Sequence, residues 1–369
     1  CDNICDIKLR HYPVRYPIPK LTTRLPFKRN PLDITVGGDE LNRWLYRQFP
    51  TSHISVNKYM KQVFTAKLCT AYYYPKCLDR DRYYHMLQHM IYYYIMDDKT
   101  DEPSGPLNNN NMDECRRVWS QVAKLFADIS SGGGGGEGDR MESYVREIQP
   151  TFTDIYRSFN GQQWSRFVDT WLDYVNGNIE QNEAKNQRFA SLDQLLKNRR
   201  KTAGVIPTTL TLEYAYKFEL PEPDWLDPRM QTLIQLATDQ IILVNDLFSF
   251  EKEIMANIGQ QSLTTGTGSS FIHNDYNNDS HILPQMANTV AITAVKHKCS
   301  ILESQTNIIR RIEQLESEIL KLVIDWETGG RQSLPLSPGA RQFINGLLYM
   351  VGGNCRYSLG CDRYNNFMN

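Results

Sequence analysis

The sequence predicts an all-α protein, about a dozen helices in a single domain. Three observations carry that expectation. Apolar residues recur at helical spacing from about residue 39 almost to the C-terminus, and no alternating strand pattern of useful length interrupts them. Two of those apolar runs end in oxygen-rich clusters, Asp97-Asp98-Lys99-Thr100-Asp101-Glu102 and Asn245-Asp246-Leu247-Phe248-Ser249-Phe250-Glu251-Lys252-Glu253. Their separation suits opposite walls of one barrel. The chain has 369 residues, 41% of them hydrophobic and 22% charged, which is enough for a large core and carries no internal repeat.

Residues 1–40 hold Pro13, Pro17, Pro19, Pro26 and Pro31 and read as an extended arm draped over the domain. Residues 41–369 are the helical domain. The run Tyr83 to Met96 is apolar on most sides, so the acids that follow it close a buried helix. On that helix Asp97 and Asp101 share a face, being four residues apart. An isolated acidic run more often decorates a solvated helix end. Behind an apolar helix, however, carboxylates this close repel one another unless a cation neutralises them. Pro103 to Asn111, Ser130 to Gly138 and Asn257 to Pro284 read as surface loops on their content of Gly, Asn, Ser and Pro.

Arg199-Arg200-Lys201-Thr202-Ala203-Gly204 reads, by itself, as a basic helix end. Leu233 to Val244 is a second apolar run, after which Asn245, Ser249 and Glu253 follow at four-residue steps. One helix face then presents an amide oxygen, a hydroxyl and a carboxylate. Lys252 lies near the same rim, with an ammonium to offer phosphate oxygens. Val290 to Trp326 reads as a core-packing helix or helix pair, with Ile301, Ile308, Ile312, Leu315, Ile319 and Leu322 at helical spacing. Gly353 to Ser358 leads to Arg363-Tyr364, a guanidinium fork and a hydroxyl that both suit phosphate.

Carboxylate and neutral oxygen ligands favour a hard cation such as Mg²⁺, commonly held by few protein ligands together with substrate phosphates. The two clusters therefore read as holding a diphosphate between them. A formal net charge of −1 gives no broad attraction for nucleic acid or an anionic membrane. Nor does any stretch approach the ~20 continuous apolar residues a transmembrane helix needs. Eight cysteines lack a CxxC pair or zinc spacing and read as free thiols of a reducing, cytoplasmic compartment. Several of the 21 tyrosines cluster at 72–74, 83–84 and 92–94, as amphipathic packing or as the lining of a cavity.

Together these elements resemble the class I terpene synthases of the microbial type, over roughly Leu41 to Tyr364. Tyr74-Pro75 resembles their aromatic-proline step, and Asp97-Asp98 with Asp101 and Glu102 resembles their aspartate-rich motif. Asn245, Ser249 and Glu253 match their second metal motif. Arg199 stands where the family has its diphosphate sensor, Thr202 at the linker and Ala203 at the effector position. Glu213 and Leu220-Pro221 continue the pattern, and Arg363-Tyr364 resembles the C-terminal pair that grips diphosphate. There are departures. Ala203 replaces a frequent Gly, Tyr357 a frequent Trp, and Arg200 beside Arg199 leaves the sensor open by one residue. The glycine and asparagine tracts differ from compact bacterial members and point to a eukaryotic source such as an octocoral or an amoeba.

The resemblance implies the isoprenoid-synthase helical barrel around a central cavity and ionisation of farnesyl or geranylgeranyl diphosphate, followed by cyclisation to a sesquiterpene or diterpene. It implies three Mg²⁺ ions, two on Asp97, Asp98 and Asp101 and the third on Asn245, Ser249 and Glu253. Arg199, Lys252, Arg363 and Tyr364 would neutralise the leaving group. Tyr94, Phe64, Phe248 and Tyr214 are the expected wall residues, and a homodimer is compatible with the reading. One rival is a prenyl-elongating transferase on the same fold, against which the Asn/Ser/Glu set weighs. The other is a helical binding protein without catalysis, toward which Ala203 and Tyr357 weigh slightly.

Overall fold

Caps and breakers in the sequence set several of the helix boundaries seen in the structure, a computed structural model. It describes residues 16–48, 56–101, 112–132, 142–183, 189–265, 283, 286–328, 336–361 and 364. Residues 16–38 form a strap with one 3₁₀ turn, Pro31–Ile34, capped by Asn30. Thirteen α-helices follow among the described residues: α1 (Asp39–Gln48), α2 (Val56–Tyr73), α3 (Arg80–Asp101), α4 (Met112–Ser130), α5 (Ser143–Ser158), α6 (Gly161–Glu183), α7 (Leu192–Thr202), α8 (Val205–Tyr216), α9 (Glu222–Trp225), α10 (Pro228–Thr265), α11 (Thr289–His297), α12 (Ile301–Glu327) and α13 (Pro338–Gly360). No strand occurs among them.

Ser191 opens α7 by accepting from the Gln194 amide, and Ser337 with Pro338 opens α13. Ser300 and Glu303 close a reciprocal capping box on α12. Lys298, at φ 51°, turns the chain between α11 and α12, so the stretch from Val290 is a helix pair. The loop expected from Asn257 begins later, because α10 runs on to Thr265. Ile258, Gln260, Gln261 and Leu263 are adequate helix formers, and one glycine does not stop a helix already propagating from an apolar run. Most of the two other expected loops, 102–111 and 133–141, lies outside the described residues.

A closed ring of neighbours runs α2, α3, α8, α10, α13 and back to α2. Its member α8 is buried on nearly every side from Val205 to Ala215, which is why its sequence shows no polar face. Outside the ring, α4, α5 and α6 meet in an aromatic cluster of Phe126, Phe152, Phe167 and Trp171. The strap is fastened by a buried carboxylate. Glu316 of α12 accepts from Thr23 Oγ1 and the Arg24 amide at 2.8 Å, and from Gln240 Nε2 of α10 at 2.9 Å. At the far end of α8, Glu213 accepts from Arg166 Nη2 at 2.9 Å, Gln163 Nε2 at 2.9 Å and the Leu220 amide at 2.7 Å. No described helix is long and apolar enough to cross a membrane.

Candidate active site

On α10 the four-residue spacing brings Asn245, Ser249 and Glu253 to one face. The Ser249 hydroxyl donates to Glu253 Oε1. The other carboxylate oxygen, Oε2, accepts from Asn288 Nδ2 at 2.9 Å. Asn288 caps α11 through the Val290 amide, and its Nδ2 also reaches the Asp246 carbonyl at 3.0 Å. The start of α11 is thereby clamped to α10.

Asp246 is buried. Its Oδ2 accepts from the Thr289 amide at 2.9 Å, and its Oδ1 pairs with Arg199 Nη2 at 3.0 Å. Burial pushes its carboxyl above the ordinary range against the pull of the Arg199 guanidinium, and the charge of Glu253 adds to the rise. The neighbouring Arg200 turns elsewhere, donating to both oxygens of Asp239 at 2.7 and 2.6 Å. After Arg199 the chain breaks. The Ala203 amide donates to the Arg199 carbonyl, and Gly204 takes φ 65°. Only glycine fits there, because a Cβ would stand 2.6 Å from Tyr93 Cε1 on α3.

Tyr94, three residues before Asp97, leads from α3 toward α10. Its hydroxyl lies 2.5 Å from that of Tyr357 on α13. The Tyr357 ring is 6.2 Å from Tyr364, whose own ring is 6.3 Å from Phe248. Asn245 Nδ2 donates to the Tyr364 hydroxyl at 2.7 Å. The last turns of α3 are thus linked to the oxygen face of α10 through Tyr357 and Tyr364, with the break before α8 packed against Tyr93 of α3.

Asp97 and Lys252 are half-buried at that end. The side chains of Asp98 and Asp101, and all of Arg363, lie outside the described residues. Among the described residues no three His, Cys, Asp or Glu side chains gather as a metal-ligand set. The α10 set is instead an amide, a hydroxyl and one carboxylate. Two expected wall residues are elsewhere. Phe64 is 54% exposed, on the outer side of α2. The Tyr214 hydroxyl bonds His85 Nδ1 at 2.6 Å, about 15 Å along α8 from the break at 1.5 Å per residue. Asn288 was missed from sequence. An Asn ahead of an apolar run signals a helix cap, but nothing local reveals its second bond, to Glu253.

A cleft of about 520 Å³ lined by Lys76, Tyr216, Glu327 and Arg341 opens at the other end of the ring. It flanks the Tyr216 end of α8 and the first turns of α13, remote from the acidic clusters.

Comparison with known proteins converges on one family. The family model described as "Terpene synthase family 2, C-terminal metal binding" matches residues 88–318. A terpene cyclase from Annulohypoxylon truncatum is 21% identical over 353 residues, 94% of this chain and 85% of that protein. Pentalenene synthase from Streptomyces exfoliatus is 29% identical over 170 residues, 44% of this chain and 46% of its own length. In three dimensions the chain resembles germacradien-4-ol synthase from Streptomyces citricolor, with a TM-score of 0.71, 16% identity, and coverage of 92% of this chain and 98% of that one. The α-eudesmol synthase structure aligns at TM-score 0.70 with 16% identity, over 92% and 99% of the two chains.

Proposed function

The chain belongs to the class I terpene synthases, a family of enzymes, and on that footing we propose that it ionises a linear prenyl diphosphate and cyclises the resulting cation. The supporting observation is the contact path from Tyr94, three residues before Asp97, through Tyr357 and Tyr364 to Asn245, which links α3 to the oxygen face of α10.

The donors on α10 suit a hard cation. With its nitrogen engaged by Tyr364, Asn245 offers its amide oxygen. Ser249 gives its hydrogen to Glu253 and keeps its lone pairs. Glu253 is held in place from behind by Asn288. Every ligating atom is oxygen, as Mg²⁺ prefers. Asn245, Ser249 and Glu253 would hold one Mg²⁺ and Asp97, Asp98 and Asp101 two more, and bound ions would supply charge neutralisation for a departing diphosphate.

Arg199 is the better sensor for that diphosphate. Arg200 spends a bidentate pair on Asp239, whereas Arg199 sits at the helix break and bonds Asp246, the neighbour of Asn245. Lys252, Arg363 and Tyr364 would complete the cradle with an ammonium, a guanidinium and a hydroxyl. The substrate is farnesyl or geranylgeranyl diphosphate and the product a sesquiterpene or diterpene. Asn and Ser in place of a second aspartate-rich motif weigh against the elongating transferase.

Asp97→Ala and Asn245→Ala should each abolish Mg²⁺-dependent diphosphate release while circular dichroism keeps its helical signal. Near-normal release by either variant would remove the metal assignment. Longer diphosphates formed with isopentenyl diphosphate, in place of hydrocarbons or alcohols, would replace the cyclase with the transferase.

A further inference from the structure

An isoprenoid cation needs an apolar, water-free wall, yet two hydroxyls meet on the path that joins α3 to α13. Tyr94 and Tyr357 oxygens lie 2.5 Å apart. The Cys69 thiol of α2 lies close to both the Tyr94 and the Tyr73 hydroxyls. Tyr73 donates to Asn354 Oδ1 at 2.9 Å, and Asn354 Nδ2 reaches the Ile241 carbonyl at 3.4 Å. These hydrogen bonds together touch α13, α3, α2 and α10, four of the five helices of the ring. Hydrogen-bonded hydroxyls buried this way hold each other in one orientation.

Burial lifts both phenols well above their ordinary pKa, so both stay protonated and neutral at any working pH. Tyr357 is 2% exposed. Tyr94 is less fully covered, and the Tyr357 ring packs 6.2 Å from Tyr364, whose hydroxyl accepts from Asn245 of the candidate site. In an O–H···O pair one hydrogen is shared, so lone pairs remain on fixed oxygens. Pre-oriented lone pairs stabilise positive charge without having to reorganise as it develops.

We propose that the Tyr94–Tyr357 hydroxyl pair fixes where the positive charge of the cyclising cation comes to rest, and so selects the product skeleton. The inference rests on the cyclase reading above. The pair acts through its oxygens, apart from any stacking by the two rings. A tenfold change in product ratio corresponds to only about 1.4 kcal/mol between competing barriers, so one lost hydrogen bond is enough to redirect the outcome.

The test is the product profile from farnesyl and geranylgeranyl diphosphates, scored by mass spectrometry per diphosphate released. Normalised this way, a change in rate does not enter. Tyr94→Phe and Tyr357→Phe keep both rings and remove the same bond. Each should lower the main product relative to its nearest competitor by about tenfold, and the two profiles should coincide. The double variant should add nothing further, as expected when two changes break one interaction. An unchanged profile in either single variant overturns the proposal, and so do two unlike profiles. A wild type that releases no diphosphate removes the cyclase reading and this inference with it; an active wild type with unaltered variant profiles removes the inference alone.

Discussion

Replacing Asn288 separates two tasks carried by one side chain. Its oxygen caps α11 at 2.9 Å from the Val290 nitrogen, while its Nδ2 holds Glu253 Oε2 at 2.9 Å and the Asp246 carbonyl at 3.0 Å. Losing an N-cap costs about 1 kcal/mol, and losing a hydrogen bond to a charged carboxylate about 1.5–3 kcal/mol. Asn288→Ala should therefore destabilise the metal-free protein by about 2.5–4 kcal/mol, the sum of the two. A loosened Glu253 should also raise the Mg²⁺ concentration for half-activation by about 10–100-fold, the usual cost of removing a partner behind a metal ligand. Asn288→Ser keeps a capping oxygen but has no N–H to reach Glu253. It should recover the ~1 kcal/mol of the cap and none of the metal affinity. Thermal unfolding without metal and Mg²⁺ titration of diphosphate release measure the two effects separately. A serine variant whose Mg²⁺ requirement equals that of the wild type would refute the role given to Asn288.

Two further expectations concern the scaffold. Glu213→Gln leaves the Arg166 guanidinium, 6% exposed, with only Glu222 at 2.9 Å as a carboxylate partner. Breaking a buried pair in this way costs about 3–5 kcal/mol, and Glu222 should hold the loss to the lower end in urea unfolding; under about 1 kcal/mol would contradict the account. His89 is caged by Tyr93, Phe152 and Trp171, and burial depresses its pKa from 6.5 to about 3. Because the folded value is below the unfolded one, its contribution is complete above pH 6.5 and is lost as pH falls toward 3. By pH 5 the loss is about 2 kcal/mol, at 1.36 kcal/mol per unit. His89→Phe should abolish that dependence. Melting curves of variant and wild type that stay parallel from pH 7 to 5 would show the cage does not hold a neutral imidazole.

What could be read in the sequence was what short-range geometry determines. Asn245, Ser249 and Glu253 share a helix face by spacing alone, and Gly204 marks a break because its φ of 65° suits no larger residue there. Misreadings came where tertiary context decides. The Gly259 region looked like loop, but α10 entered it already propagating. Phe64 and Tyr214 looked like pocket walls on aromatic character, which says nothing of the direction a helix turns them. The Glu253–Asn288 bond joins residues 35 apart and has no local signature.

The doublet Arg199-Arg200 shows the same limit at the scale of one residue. Consecutive helical residues project about 100° apart, so two adjacent arginines cannot serve one site equally. Composition and spacing leave them equivalent. Their partners do not: Asp239 and Asp246 lie seven residues apart on α10, two turns on nearly the same face, or about 10 Å along the axis. Arg200 makes the bidentate pair with Asp239, away from the oxygen face. That pair anchors α7 in a rotation that carries Arg199 to Asp246, beside Asn245. One arginine of the doublet thus holds Asp239 and the other Asp246 beside Asn245, a division set by the packing of α7 on α10.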